Sequence, residues 1–372
     1  MRALEIFPVI RRLLGPRAPL FRLGDWVEVK SAHEILATLD EQGSLDALPF
    51  MPEMLQFCGK TFRVYKSAHK TCDTIKTYQN RRMMNAVHLE GLRCDGESHG
   101  GCQAGCLLFW KDAWLKPVNT PDSKEGSIEA LSVPRPPAGS MRLSCDAETL
   151  MRAAQVATAE EAAVEQYRCQ ATELVRATTP LRWCDPSQYI TDLVSGNVRP
   201  RDFVRYVIIA AYNAFVRLNP VGRIRGLWRV SQLLHLYPYI RGLAGNKTPA
   251  EVLNLQVGEL VQVRSKAEIM RTINERQRNR GLWFDTEMVP YCGRTFRVLR
   301  RVEKIIDEKT GKLIRMPNDC LILDGVTCGG CLSSDRLFCP RNLYPFWREI
   351  WLKRVAGNEG TSIPRPPSGK IL

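Results

Sequence analysis

Histidine is scarce in this chain of 372 residues: there are five, and none follows His235. Imidazole chemistry is therefore confined to the part of the chain before the last third. Long apolar runs are absent as well. The longest, Val207 to Val216, is interrupted by Tyr212 and Asn213 and falls far short of the roughly 20 residues that span a bilayer, so no transmembrane helix is expected. The opening, Met1-Arg2-Ala3-Leu4-Glu5-Ile6-Phe7-Pro8, breaks its apolar stretch with Glu5 and Pro8 and has no small-residue cleavage site after it. We therefore expect no secretory signal, and a reducing, cytoplasmic setting for the 13 cysteines. The phosphate-cradling Gly-x-x-x-x-Gly-Lys-Ser/Thr, the dinucleotide Gly-x-Gly-x-x-Gly, the zinc-protease His-Glu-x-x-His and the nucleophile elbow Gly-x-Ser-x-Gly are all missing. Nucleotide, dinucleotide and serine-hydrolase functions lose their usual support.

What is present is a duplication. At a constant offset of 234, Gly24–Val64 and Gly258–Val298 match at 18 of 41 positions without a gap. The match resumes as Leu89-Glu90-Gly91-x-x-Cys94 against Leu323-Asp324-Gly325-x-x-Cys328. It resumes again as Phe109-Trp110-x-x-x-Trp114-Leu115-Lys116 against Phe346-Trp347-x-x-x-Trp351-Leu352-Lys353. Tails of Pro-Arg-Pro-Pro follow each copy, at 134–137 and 364–367, and read as stiff linkers or as extended ligands for a proline-reading partner.

Each copy opens Gly-Asp/Glu-x-Val-x-Val, an alternating strand pattern, and continues with Ser31 or Ser265 three residues before Glu34 or Glu268, a capping box for a short helix at 31–39 or 265–273. Cys-Gly-Lys/Arg-Thr-Phe-Arg-Val begins a second strand, and 302–306 with 312–316 form a hairpin about Asp307-Glu308-Lys309-Thr310-Gly311. The opening Gly24-Asp25-x-Val27-x-Val29 resembles the start of SH3-like barrels, which implies a small meandering β-barrel. Between the copies, Asp146 to Thr178 is rich in Ala, Glu and Arg and free of Gly and Pro, the pattern of one long helix. Further helices are expected at Pro186–Leu193, Pro200–Leu218, 226–236 and 248–255.

The fold class expected is α+β: two homologous small β-barrel-like modules flanking an all-helical middle domain. The segments are a basic amphipathic stretch at 1–23, a cysteine-rich module at 24–118, a Pro-containing linker at 119–145, a helical domain at 146–256, a second module at 257–355 and a Pro-rich tail at 356–372. Net charge is +4, −1, +4, +6 and +1 over 1–23, 24–118, 119–250, 251–355 and the remainder. Nucleic-acid binding thus attaches at most to residues 251–355, where Arg276, Arg278 and Arg280 cluster, and a membrane-surface contact at most to residues 1–23.

Ten of the cysteines lie in the two modules, with Cys58, Cys94 and Cys102 matching Cys292, Cys328 and Cys339. With Cys106 and Cys331 these make the candidate ligand sets for up to two zinc ions per chain, Cys58, Cys94, Cys102 and Cys106 in the first module and Cys292, Cys328, Cys331 and Cys339 in the second. The fourth ligand is open: Cys72, Cys106 or His99 in one, Cys320 or Cys331 in the other. Two other readings stand beside zinc: buried thiols that pack as small hydrophobes, and redox or iron–sulfur chemistry. The shared Trp110/Trp114 and Trp347/Trp351 pairs read as core closure or a binding platform. The functional expectation is a zinc-stabilised scaffold or accessory protein acting on another macromolecule, most simply a protein, through two duplicated modules. The alternatives are an enzyme using Cys72 or Cys102 with His69 or His99 as base, and a nucleic-acid binder.

Overall fold

Alternation in the opening strand is what places the first core: Val27 and Val29 are fully buried while Trp26 and Glu28 face outward in the strand Trp26–Val29. The computed structural model describes residues 19–118, 145–155, 165–218 and 240–355. In the first module five antiparallel strands run in the order Trp110–Lys111, Ala86–Leu89, Thr61–Ser67, Trp26–Val29, Leu115–Pro117. The second module repeats this as Leu321–Leu323, Thr295–Arg301, Leu260–Val263, Leu352–Arg354, and a single bridge from Leu321 to Trp347 stands for the fifth strand. Both capping boxes form. Glu34 N donates to Ser31 Oγ at 3.3 Å and Glu268 N to Ser265 Oγ at 3.4 Å, starting the helices Ala32–Leu36 and Lys266–Met270. The tryptophan pairs close the cores, with Phe50 edge-on to Trp114 at 5.1 Å and Phe284 to Trp351 at the same distance.

Two parts of the expected fold class are corrected. No closed barrel forms among the described residues. The outermost strands, Trp110–Lys111 and Leu115–Pro117, follow one another across the 3₁₀ turn Asp112–Trp114 and do not pair, and the hairpin lies in a separate small sheet. Nor is there an all-helical middle domain: the described part of it contains three helices of eight residues or more, Ala147–Ala154, Pro186–Val194 and Pro200–Leu218. Instead of one helix over 146–178, the chain leaves the helix at Gln155 and pairs Gln166 with Lys312 of the second module before a short helix at Gln170–Glu173. Tertiary contacts outweigh helix propensity there. Gln170 is buried, with Nε2 donating to Pro49 O at 3.1 Å and Phe109 O at 2.9 Å while Oε1 accepts from Phe109 N at 2.9 Å. Cys145, Leu150, Tyr167, Cys169, Ala171 and Leu174 belong to the first module's core. Propensity differences of a few tenths of a kcal/mol per residue cannot compete with several buried side chains at roughly 1.5–3 kcal/mol each.

The expected helix at 248–255 is also absent, because the buried carboxylate of Glu349 takes the N–H groups of Leu253, Asn254 and Leu255. The helix Pro186–Val194 docks on the first module through Lys70 Nζ and Asp192 Oδ2, 2.6 Å apart and both fully buried. The expected helix at 226–236 lies outside the described residues, as do residues 1–18 and both Pro-Arg-Pro-Pro tails.

The modules face one another with pseudo-two-fold reciprocity. Cys102 Sγ accepts from Ile306 N of the second module's hairpin at 3.4 Å, and Cys339 Sγ accepts from Cys72 N of the first module's hairpin at 3.2 Å. Cys72 and Ile306 are matched positions, as are Cys102 and Cys339, so residue i meets j and j meets i, the signature of an isologous interface. Thr74 bonds Glu308, its own counterpart, where the axis would pass.

Candidate metal centre

Three elements of the first module bring Glu53, Cys94 and His99 together, their ligand atoms all within 4.8 Å of one another. Glu53 stands in the 3₁₀ helix Pro52–Phe57. Cys94 is pinned by its own N–H donating to Cys106 O at 2.8 Å, and His99 ends the 3₁₀ turn Glu97–His99. Gly96 makes that turn possible, since its φ is +80° and a Cβ there would come within 2.0 Å of Cys102 O.

His99 is fully buried and Glu53 is 7% exposed. Cys94 Sγ donates to Glu53 Oε1 at 3.0 Å. His99 Nδ1 stands 3.1 Å from the same oxygen but without hydrogen-bond alignment, so that Nδ1 and Glu53 Oε2 are both buried without a partner. On its far side His99 Nε2 lies 3.1 Å from Arg168 O. With its proton on Nε2, toward that carbonyl, the ring would present the Nδ1 lone pair to an ion, which is how metal-bound imidazoles are held. Burial acts to raise the Glu53 carboxyl, but His99 and Cys94 outweigh it and leave it below its usual value. The Cys94 thiol is pushed up, first by burial and then by Glu53. Ionised, the trio would carry one thiolate, one carboxylate and a neutral imidazole, a net −2 that a divalent ion neutralises. The group can hold a metal ion.

The matched place in the second module is built differently. Glu287 and Cys328 replace Glu53 and Cys94, but the 3₁₀ turn Ser334–Arg336 sets Arg336 where His99 stands. Arg336 pairs with Asp285, which replaces Met51. The carboxylate of Glu287 has no orphan oxygen: it accepts from Cys331 N at 3.2 Å, Leu332 N at 2.7 Å and Ser333 N at 2.9 Å. A guanidinium is already the cation there, and among the described residues no second group of three ligands converges.

Of the eight cysteines expected to ligate, Cys94 alone lies in the converging group. Cys58 and Cys292 end the 3₁₀ helices Pro52–Phe57 and Thr286–Tyr291 and pack on the rims of the two cores. Burial raises both thiols, that of Cys292 to about 11. Cys102 and Cys339 serve the contact between modules as acceptors of backbone N–H. Cys106 and Cys331 are held up at about 12 by burial, and Cys328 is raised by burial and by Glu287. Cys320, an alternative fourth ligand, lies under the second module's hairpin with Val302 and Ile322, and Cys72, its alternative in the first, is buried against Cys339. Arg276, Arg278 and Arg280 face solvent.

Glu53 was not among the residues singled out from the sequence. The signal for it was there: it is a carboxylate inside the apolar run Phe50-Met51-Pro52-Glu53-Met54-Leu55, kept as Glu287 in the repeat. Compared with protein-family models, with curated proteins and with solved structures, the chain matches none of them.

Proposed function

We propose that this protein is a zinc-stabilised binding protein, an accessory or scaffold component that engages another macromolecule through a fused pair of modules. The observation that carries the reading is the inward-facing trio Glu53, Cys94 and His99, with His99 oriented from behind by Arg168 O. Mixed sulfur, nitrogen and oxygen donors at a buried site suit zinc among the divalent ions. The ion would tie together the 3₁₀ helix at 52–57, the loop at 94–106 and, through Arg168, the segment that pairs with the second module. Its role is thus to hold the two modules in one relative placement.

A cysteine nucleophile is the less favoured reading. Cys72 is fully buried, and Cys339 alongside it, followed by burial, pushes its thiol well up. His69 Nε2 is spent on Gln188 O at 3.2 Å. A reactive thiol needs the opposite surroundings, exposed and electropositive. Metal analysis of the purified chain tests the proposal: one zinc per chain, lost in Cys94→Ser and His99→Ala, agrees with it, and a metal-free, fully folded protein refutes it.

A further inference from the structure

A cavity of about 40 Å³ opens on the first module, lined by Pro19, Ser67, His69, Arg82 and Asp112 among others. Asp112 and His69 both line it, and Asp112 Oδ1 and His69 Nδ1 are each buried without a hydrogen-bond partner. The second module shows what the same place looks like when filled. Glu349 stands at the position of Asp112, Arg301 at that of Ser67, and Leu253 to Leu255 at those of Pro19 to Phe21. There Glu349 accepts from Leu253 N, Asn254 N and Leu255 N at 2.6, 2.9 and 3.0 Å, and from the guanidinium of Arg301 at 2.7 Å. In the first module Asp112 Oδ1 receives none of these bonds, although Leu20 and Phe21 keep their N–H groups. Serine removes the guanidinium, aspartate is shorter by one methylene, and Pro19 has no N–H to give. Ser67 and Asp112, at the positions of that ion pair, both line the cavity.

We propose that this cavity is a binding site for a guanidinium group, which would meet Asp112 as Arg301 meets Glu349 and give a second N–H to His69. The site is independent of the metal centre. Its room, that of about three waters, suits a planar head of four heavy atoms. The other charged groups around Asp112 are engaged. Arg82 pairs with Asp185 and Ser187, and Lys111 with Asp46 Oδ2 at 2.9 Å and Met84 O at 3.0 Å. His69 is pushed well below its usual value by burial and then by the charge of Lys70, so it is neutral near pH 7. Burial, against the pull of Lys111, raises the Asp112 carboxyl to about 7. Binding therefore takes the carboxylic acid to the carboxylate, and its proton leaves for solvent as the guanidinium enters.

The donor could be a free guanidino compound or an arginine side chain of another protein, and two probes separate them. Methylguanidinium and a capped Gly-Arg-Gly peptide are titrated into the full chain by calorimetry in two buffers, with the Asp112 carboxyl carbon followed by NMR. We expect saturation by methylguanidinium on the order of millimolar, as befits so few atoms, with proton release and an affinity about tenfold higher at pH 8 than at pH 6. Peptide affinity equal to or above that of methylguanidinium assigns the site to an arginine side chain, and methylguanidinium binding alone assigns it to a free compound. Asp112→Asn should weaken binding at least tenfold. The double variant Ser67→Arg with Asp112→Glu, which transplants the second module's ion pair, should fold and abolish it. Failure of both probes to saturate, or equal binding by Asp112→Asn, overturns the proposal, and neither outcome touches the zinc reading.

Discussion

Replacing His99 by alanine removes the nitrogen that faces Glu53 and frees the carbonyl of Arg168 from its partner. If an ion sits among the three ligands, its loss leaves the Glu53 carboxylate, 7% exposed with one oxygen already unpartnered, as an uncompensated buried charge. Breaking a buried charge arrangement in this way costs roughly 3–5 kcal/mol, a large part of the roughly 5–15 kcal/mol that holds an ordinary protein folded. At roughly 2–4 °C per kcal/mol for a unit of this size, the midpoint of thermal unfolding should fall by roughly 6–20 °C. The decisive assay measures wild type and His99→Ala with and without prior chelation. Chelation should bring the wild type most of the way down to the variant, short of it by the Arg168 hydrogen bond and the packing of the ring, and should leave the variant where it is. If the variant loses the same stability whether or not the wild type has been stripped, His99 acts as a packed hydrogen-bonding residue and the metal reasoning fails.

Glu287→Gln should cost roughly 2 kcal/mol in denaturant unfolding, since a charged acceptor of three N–H groups becomes a neutral one, and should leave metal content unchanged. Gly96→Ala should both destabilise and lower metal content, because its φ of +80° and the 2.0 Å approach of Cys102 O force the turn carrying His99 to move; equal metal content would contradict the stated geometry. Acidification should release the ion. In the metal-free protein the Glu53 carboxyl is depressed, so its own contribution to stability is whole above the ordinary carboxylate range and is lost as pH falls through its lowered value; the ion leaves as its ligands take up protons, and dialysis to acid pH followed by metal analysis checks it. Asp112 has the opposite sign. Raised to about 7, its protonated form gives stability that is full below about pH 4 and lost on the way to neutrality, so Asp112→Asn should gain on the wild type as pH rises through that window, read by thermal unfolding in ligand-free buffer.

Period-two alternation, the capping boxes and the turn at Asp307–Gly311 are local signals, and the strands, short helices and hairpin they imply are in place. Composition misled where the decision was tertiary. Residues 146–178 have the helix formers for one long helix, yet Tyr167 and Cys169 are drawn into the first module's core and Tyr167 N bonds Gly311 O at 2.8 Å. Nothing local in the sequence states that pairing. The shared cysteines were legible as a set but not as a geometry, because equivalence between copies marks a common role, and for Cys102 and Cys339 that role is to receive a backbone N–H across the interface. The metal candidate depends on a difference between the copies: His99 against Arg336, and Met51 against Asp285. Alignment alone displays those differences, but only the buried placement of Glu53 gives them meaning.

X-ray absorption at the zinc edge on the full chain reads the ligand shell itself. One zinc per chain is expected, with a single sulfur at about 2.3 Å and the remaining ligands nitrogen or oxygen at about 2.0–2.2 Å. A shell of three or four sulfurs, or two zinc ions per chain, would contradict it.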